Sequence, residues 1–112
     1  MPQETSYCEI PLTKGQVAII DSIDFEAVSR FKWCSMWNQY THSFYAYRWV
    51  LRDGKGTTQY MHRFLMELAH GDKRQVDHFN HDTLDNRRSN LRIVTQSENA
   101  KNRKSHIVLT LA

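Results

Sequence analysis

The sequence predicts an α+β fold: an N-terminal β-hairpin and helix, a small antiparallel sheet, then a strand–loop–strand–helix unit. Three observations carry this. Residues 7–12 and 16–20 read as strands around Thr13-Lys14-Gly15, a turn in which glycine supplies positive φ. Aromatic-rich runs at 32–37 and 44–51 precede Asp53-Gly54-Lys55-Gly56, a strong turn signal. Residues 76–103 then pass from an apolar residue into Asp77-His78, an Asp- and Asn-rich loop, the apolar strand 91–94 and a polar helical segment.

Taken in order, residues 21–31 follow the first hairpin and suit a helix. Asp21, Ser22 or Asp24 can cap it, and Phe25, Val28 and Phe31 recur on one face as core residues. Strands 32–37 and 44–51 are joined by the polar stretch 38–43, and a third strand, 57–61, follows the Asp53-Gly54 turn. Trp33, Trp37, Tyr45, Tyr47 and Trp49 read as sheet packing. Residues 62–69 fit a short helix with Phe64, Leu65 and Leu68 inward, stopped at His70-Gly71-Asp72. Residues 74–78 form the strand that delivers Asp77 and His78. The tail, 105–112, has strand character at Ile107-Val108-Leu109.

At 112 residues the chain reads as one domain, a β-rich lead-in over about 1–72 and a compact unit over about 73–104. The formal charge is +3, but the excess is local: residues 1–56 hold six Lys/Arg and six Asp/Glu, residues 57–112 nine and six. A basic half suits a phosphate-bearing partner. Arg87, Arg88, Arg92, Lys101, Arg103 and Lys104 cluster there and read as phosphate contacts, which position a duplex without specifying its sequence. Two cysteines, Cys8 and Cys34, and no CxxC pair exclude a four-cysteine zinc knuckle, so no structural zinc is expected; reduced thiols are. No apolar run reaches membrane length and the first residues lack an apolar leader, so the reading is intracellular, cytoplasmic and soluble.

The 76–103 stretch has the parts that phosphodiester hydrolysis needs. A base must deprotonate the attacking water, and a cation must stabilise charge on phosphate and leaving oxygen. His78 suits the first task because imidazole titrates near neutral pH. Asp77 offers a hard oxygen to Mg²⁺. Neighbours on a strand point to opposite faces, but at its end both can still border one site. Asn99, on the polar segment 22 residues beyond Asp77, is the candidate second oxygen ligand. Asn90 suits the pinning of the loop to backbone groups. His81 is a substitute for His78, and His62 a further candidate at the site.

Val76-Asp77-His78, the run 85–92 (DNRRSNLR) and the run 94–103 (VTQSENAKNR) closely resemble the HNH endonucleases, the ββα-metal nucleases, in their phage and mobile-element branch, which includes homing enzymes. The resemblance spans roughly residues 10–103, with Met61-His62-Arg63 matching a His-Arg pair ahead of the motif. It implies a ββα-metal fold and a divalent-metal DNA endonuclease. His78 is implied as general base, Asp77 as metal ligand and Asn90 as the structural asparagine. Asn99, where many members have histidine, is implied as the second ligand. Amide oxygen in place of imidazole nitrogen favours Mg²⁺ or Mn²⁺. The implied partner is double-stranded DNA, nicked by a monomer. The alternatives are a non-cleaving DNA-binding module of the same fold and a homodimeric restriction-type enzyme.

Overall fold

A computed structural model describes residues 6–95. Strands β1 (Tyr7–Pro11) and β2 (Val17–Asp21) form an antiparallel hairpin. Its turn holds Lys14 and Gly15 at positive φ, the backbone conformation that glycine adopts without strain. A 3-10 turn (Ser22–Asp24) and the one-turn helix α1 (Phe25–Ser29) lead to a three-stranded antiparallel sheet of β3 (Cys34–Asn38), β4 (Ser43–Arg52) and β5 (Lys55–Tyr60). Helix α2 (Met61–Leu65) follows directly. Strands β6 (Gln75–His78) and β7 (Leu91–Val94) then pair antiparallel, His78 opposite Leu91 and Asp77 opposite Arg92.

One core joins these pieces. Ile10, Ala18 and Ile20 come from the first hairpin, Val28 from α1, Trp33 and Ala46 from the aromatic sheet region, Met61 and Leu65 from α2, and Leu91 from β7. None of these elements is long enough to bury its apolar face alone, so burial against the others is what stabilises each. Polar ties set their positions. The Trp33 indole donates to the Val28 carbonyl at 2.8 Å, and Ser35 is bonded three ways to Thr13. The loop after β6 adds a short parallel bridge to β2: Ile19 N–H donates to the Leu84 carbonyl at 2.8 Å, and Asn86 N–H to the Ile19 carbonyl at 2.7 Å.

Several expectations are corrected. The helix expected over 21–31 shrinks to the 3-10 turn and α1. Its intended caps make no capping hydrogen bond, because Asp21 accepts from the Arg88 N–H and Asp24 holds the Arg88 guanidinium. Only Val28 of the predicted face is fully buried; Phe25 and Phe31 are exposed. Helix 62–69 ends at Leu65. Glu67 takes φ 58° there and the Leu68 N–H returns to the Arg63 carbonyl at 3.0 Å, which closes the helix before the expected glycine, while the Arg63 guanidinium gathers the carbonyls of Ala69, Asp72 and Arg74 beyond it. The third sheet strand starts at Lys55 rather than Thr57, since Asp53 and Gly54 alone make the turn, both at positive φ. Trp33 packs inside as expected. Trp37 and Trp49 do not: they are 48% and 65% exposed, and Trp49 lies over Gly56 in the space a β-carbon would need. Cys8 and Cys34 are free thiols.

The helical segment from residue 96 and the strand-like tail at 105–112 lie outside the described residues. No described helix is long and apolar enough to cross a membrane.

Candidate active site

The β6–β7 hairpin is closed by residues 79–90, a long polar loop. A loop of this composition gains little from apolar burial, so its shape must come from directed hydrogen bonds. Asn90 provides the central ones. Its side-chain oxygen accepts from the Asn80 N–H at 2.9 Å, and its amide nitrogen donates to the Asp85 carbonyl at 2.8 Å. Its own carbonyl accepts from the Phe79 N–H at 2.8 Å. Asn80 in turn accepts from the Asp82 N–H and donates to the Asp85 carboxylate. Thr83 donates through its hydroxyl to the Phe44 carbonyl, tying the loop to β4. Asp85 is buried, and the Arg87 guanidinium beside it holds its carboxyl below the usual carboxylate range.

This lattice delivers a buried acceptor to His78. The imidazole, at the end of β6, is 5% exposed, and its Nε2 lies 2.8 Å from the Asn86 side-chain oxygen. Asn86 is wholly buried, and its amide nitrogen has no partner among the described residues. Burial lowers the His78 pKa below the ordinary histidine value. The Asn86 hydrogen bond and the charges of Asp77, Asp82 and Asp85 oppose that shift. Near neutral pH the ring is therefore the free base, the form that accepts a proton.

His62 packs edge-on against His78, ring centroids 5.1 Å apart, and stacks on Tyr60 at 5.3 Å. Tyr45 closes the group, 6.0 Å from His62 and 6.3 Å from His78. Burial, then the neighbouring His78 and Arg63, push the His62 pKa down to about 3. Its Nδ1 is buried with no partner among the described residues. A cleft of about 270 Å³ opens beside these rings, lined by Asn38, Tyr45, Tyr60, His62, Arg63 and Gln75 among others.

Asp77 keeps the strand alternation. His78 faces inward to Asn86, whereas the Asp77 carboxylate lies beside Arg92 across the hairpin, Oδ2 accepting from Nε at 3.2 Å and Nη2 at 3.1 Å. Three of the six cations expected on phosphate thus already hold a carboxylate: Arg87 on Asp85, Arg88 on Asp24 and Arg92 on Asp77. Each still leaves 41–48% of its side chain exposed. His81 sits on the exposed loop at φ 65°. Asn99, Lys101, Arg103 and Lys104 lie outside the described residues.

No group of three or more His, Cys, Asp or Glu is arranged to hold a metal ion among the described residues. What they offer a cation is the Asp77 carboxylate, a hard oxygen donor already facing a positive charge. That donor type suits Mg²⁺ or Mn²⁺, which keeps much of its sphere for water and phosphate.

Sequence reasoning missed Asn86 and the carbonyl-gathering role of Arg63. Both stand inside the runs 61–63 and 85–92, but nothing in a linear string marks an amide between two charged residues as the one that folds inward. Residues 59–101 match the family model of the HNH endonucleases, which places an HNH domain in this segment. No curated protein and no solved structure matches the chain.

Proposed function

We propose that this protein is a divalent-metal-dependent DNA endonuclease that nicks duplex DNA. The observation that carries the reading is His78, an imidazole kept in its free-base form and held by a buried amide, within the segment that matches an HNH endonuclease model. In this reading His78 takes the proton from the water that attacks phosphorus. Asp77, together with Asn99, would hold the metal. Bound there, Mg²⁺ or Mn²⁺ would supply Lewis-acid stabilisation of charge on the phosphate and the departing 3′ oxygen. Asn90 keeps the loop closed, so that the His78 ring does not reorient during the reaction. His62 stays neutral and backs the His78 ring, and His81 takes no part. Products carry 5′-phosphate and 3′-hydroxyl ends. One site per chain gives a nick.

Arg87, Arg88, Arg92, Lys101, Arg103 and Lys104 contact backbone phosphates. Binding to a duplex weakens steeply as salt rises, because each neutralised phosphate releases counterions. A dissociation constant indifferent to salt would count against this.

The test is relaxation of supercoiled plasmid with Mg²⁺ or Mn²⁺. Wild type produces open circles, and His78→Ala lowers the rate by about 10²–10⁴-fold while duplex affinity holds. A wild-type protein that binds DNA yet never relaxes plasmid with any divalent ion is a binding module of the same fold. Linear plasmid as first product, with a dimeric mass in solution, points to a restriction-type homodimer.

A further inference from the structure

We infer that Asn86 is the positioning residue for His78: it fixes the imidazole as the Nε2-protonated tautomer, so that the proton-accepting lone pair stands on Nδ1. The tautomer part rests on geometry alone. Its catalytic consequence rests on the nuclease reading above.

A carboxamide oxygen only accepts hydrogen bonds. The Asn86 oxygen is 2.8 Å from His78 Nε2, so Nε2 must carry the hydrogen. Both side chains are buried, so the contact is shielded from bulk solvent. Asn86 is also held from behind. Its N–H donates to the Ile19 carbonyl at 2.7 Å, and the Leu84 carbonyl two residues earlier accepts from Ile19 N–H at 2.8 Å. Its neighbour Asp85 is fastened by Asn80 and Arg87. The amide therefore reaches His78 from a backbone anchored on β2, in the opposite part of the chain.

Packing alone does not call for asparagine here. A leucine would fill nearly the same volume without burying an amide nitrogen that has no partner among the described residues. What leucine lacks is the oxygen on Nε2. The same oxygen holds the ring plane, which aims Nδ1 and sets where a water must sit to lose its proton. His62 packs edge-on against the same ring, centroids 5.1 Å apart.

The test joins a spectroscopic and a kinetic measurement. In metal-free, DNA-free protein labelled with ¹⁵N-histidine at pH 8, His78 should show a pyrrole-type Nε2 and a pyridine-type Nδ1. Asn86→Leu should give mixed or reversed nitrogens, and Asn86→Asp, which keeps an acceptor, the wild-type pattern. In plasmid nicking, Asn86→Leu should lower kcat about 100-fold with KM and duplex Kd within about twofold of wild type, and Asn86→Asp should recover most of the loss. A wild-type His78 protonated on Nδ1, or averaged between nitrogens, overturns the inference even if Asn86→Leu fails to fold. So does an Asn86→Leu protein with unchanged tautomer and kcat. If wild type shows the expected nitrogens but never nicks DNA, the nuclease reading fails and the tautomer assignment stands.

Discussion

Two antiparallel hairpins of this molecule, β4–β5 and β6–β7, are closed by opposite means. Between β4 and β5 the chain reverses in two residues, Asp53 and Gly54, both at positive φ, and Arg52 pairs at once with Lys55. Such a turn matches the twist of its flanking strands and needs no help from elsewhere. Between β6 and β7 it takes residues 79–90, held by Asn80, Asp82, Asp85 and Asn90 and docked on β2 through Ile19. The first hairpin is a local object. The second is docked on the N-terminal hairpin through Ile19 and on β4 through Thr83, and it presents the candidate site. The lesson is that side chains, unlike a tight turn, can place a buried polar group at a chosen spot, at the cost of depending on the whole fold.

Breaking the second hairpin should have the largest effect. Asn90→Ala leaves the Asn80 N–H and the Asp85 carbonyl without their partner, which costs about 3 kcal/mol. Urea denaturation should show that loss, and plasmid nicking should fall with it. An unchanged midpoint would mean that the loop does not depend on Asn90.

Acid should separate the hairpins next. Residues 43–60 contain no histidine, whereas His78 ends β6 and His62 packs against its ring. Both have folded pKa values below the unfolded value, so between the two values the unfolded chain binds more protons. Their contribution is complete above about pH 6.5 and is lost as pH falls toward the folded values. For His62, at about 3, the loss between pH 7.5 and pH 5 comes to about 2 kcal/mol. Denaturation curves at the two pH values should show it, and His62→Phe should flatten the dependence. A slope that survives in His62→Phe would assign it to other groups.

Arg88→Ala tests the tie between the loop and the N-terminal part. Arg88 binds Asp24 with two hydrogen bonds, but 48% of its side chain is exposed, so solvent screening holds the cost to about 1 kcal/mol. High salt should shrink the difference between variant and wild type. Gly54→Ala costs as little as Arg88→Ala, and its effect is local. At φ +78° an alanine costs about 1 kcal/mol, and amide exchange should quicken in β4 and β5 while nicking is untouched. Lost nicking would show that the two hairpins are coupled.

Much of the first hairpin type was legible in the chain. Asp53-Gly54 and Lys14-Gly15 announce their turns because glycine's freedom at positive φ is a property of the residue itself. The strands around them fall where expected, to within a residue or two. Helix lengths were not legible. Asp21 and Asp24 look like caps in sequence, yet both answer to Arg88, more than sixty positions away. Helix α2 stopped before Glu67, which takes φ 58° although it is no glycine, and Arg63 collected carbonyls as far away as Arg74. The exposure of Trp37 and Trp49 was hidden for a similar reason: an aromatic in a strand has two faces to choose from, and the register selects one.

The candidate site divides the same way. Residue order alone determined that an acid and an imidazole stand together at a strand end, ahead of an amide-rich loop, because adjacency and turn chemistry are local. Only the tertiary structure decided that Asp77 meets Arg92 while His78 turns inward, and that the amide reaching His78 is Asn86. Those outcomes depend on a loop docking onto a strand some sixty-five residues earlier. Contacts of that range are settled by which buried polar groups find partners when the core closes, a quantity no local stretch of sequence contains.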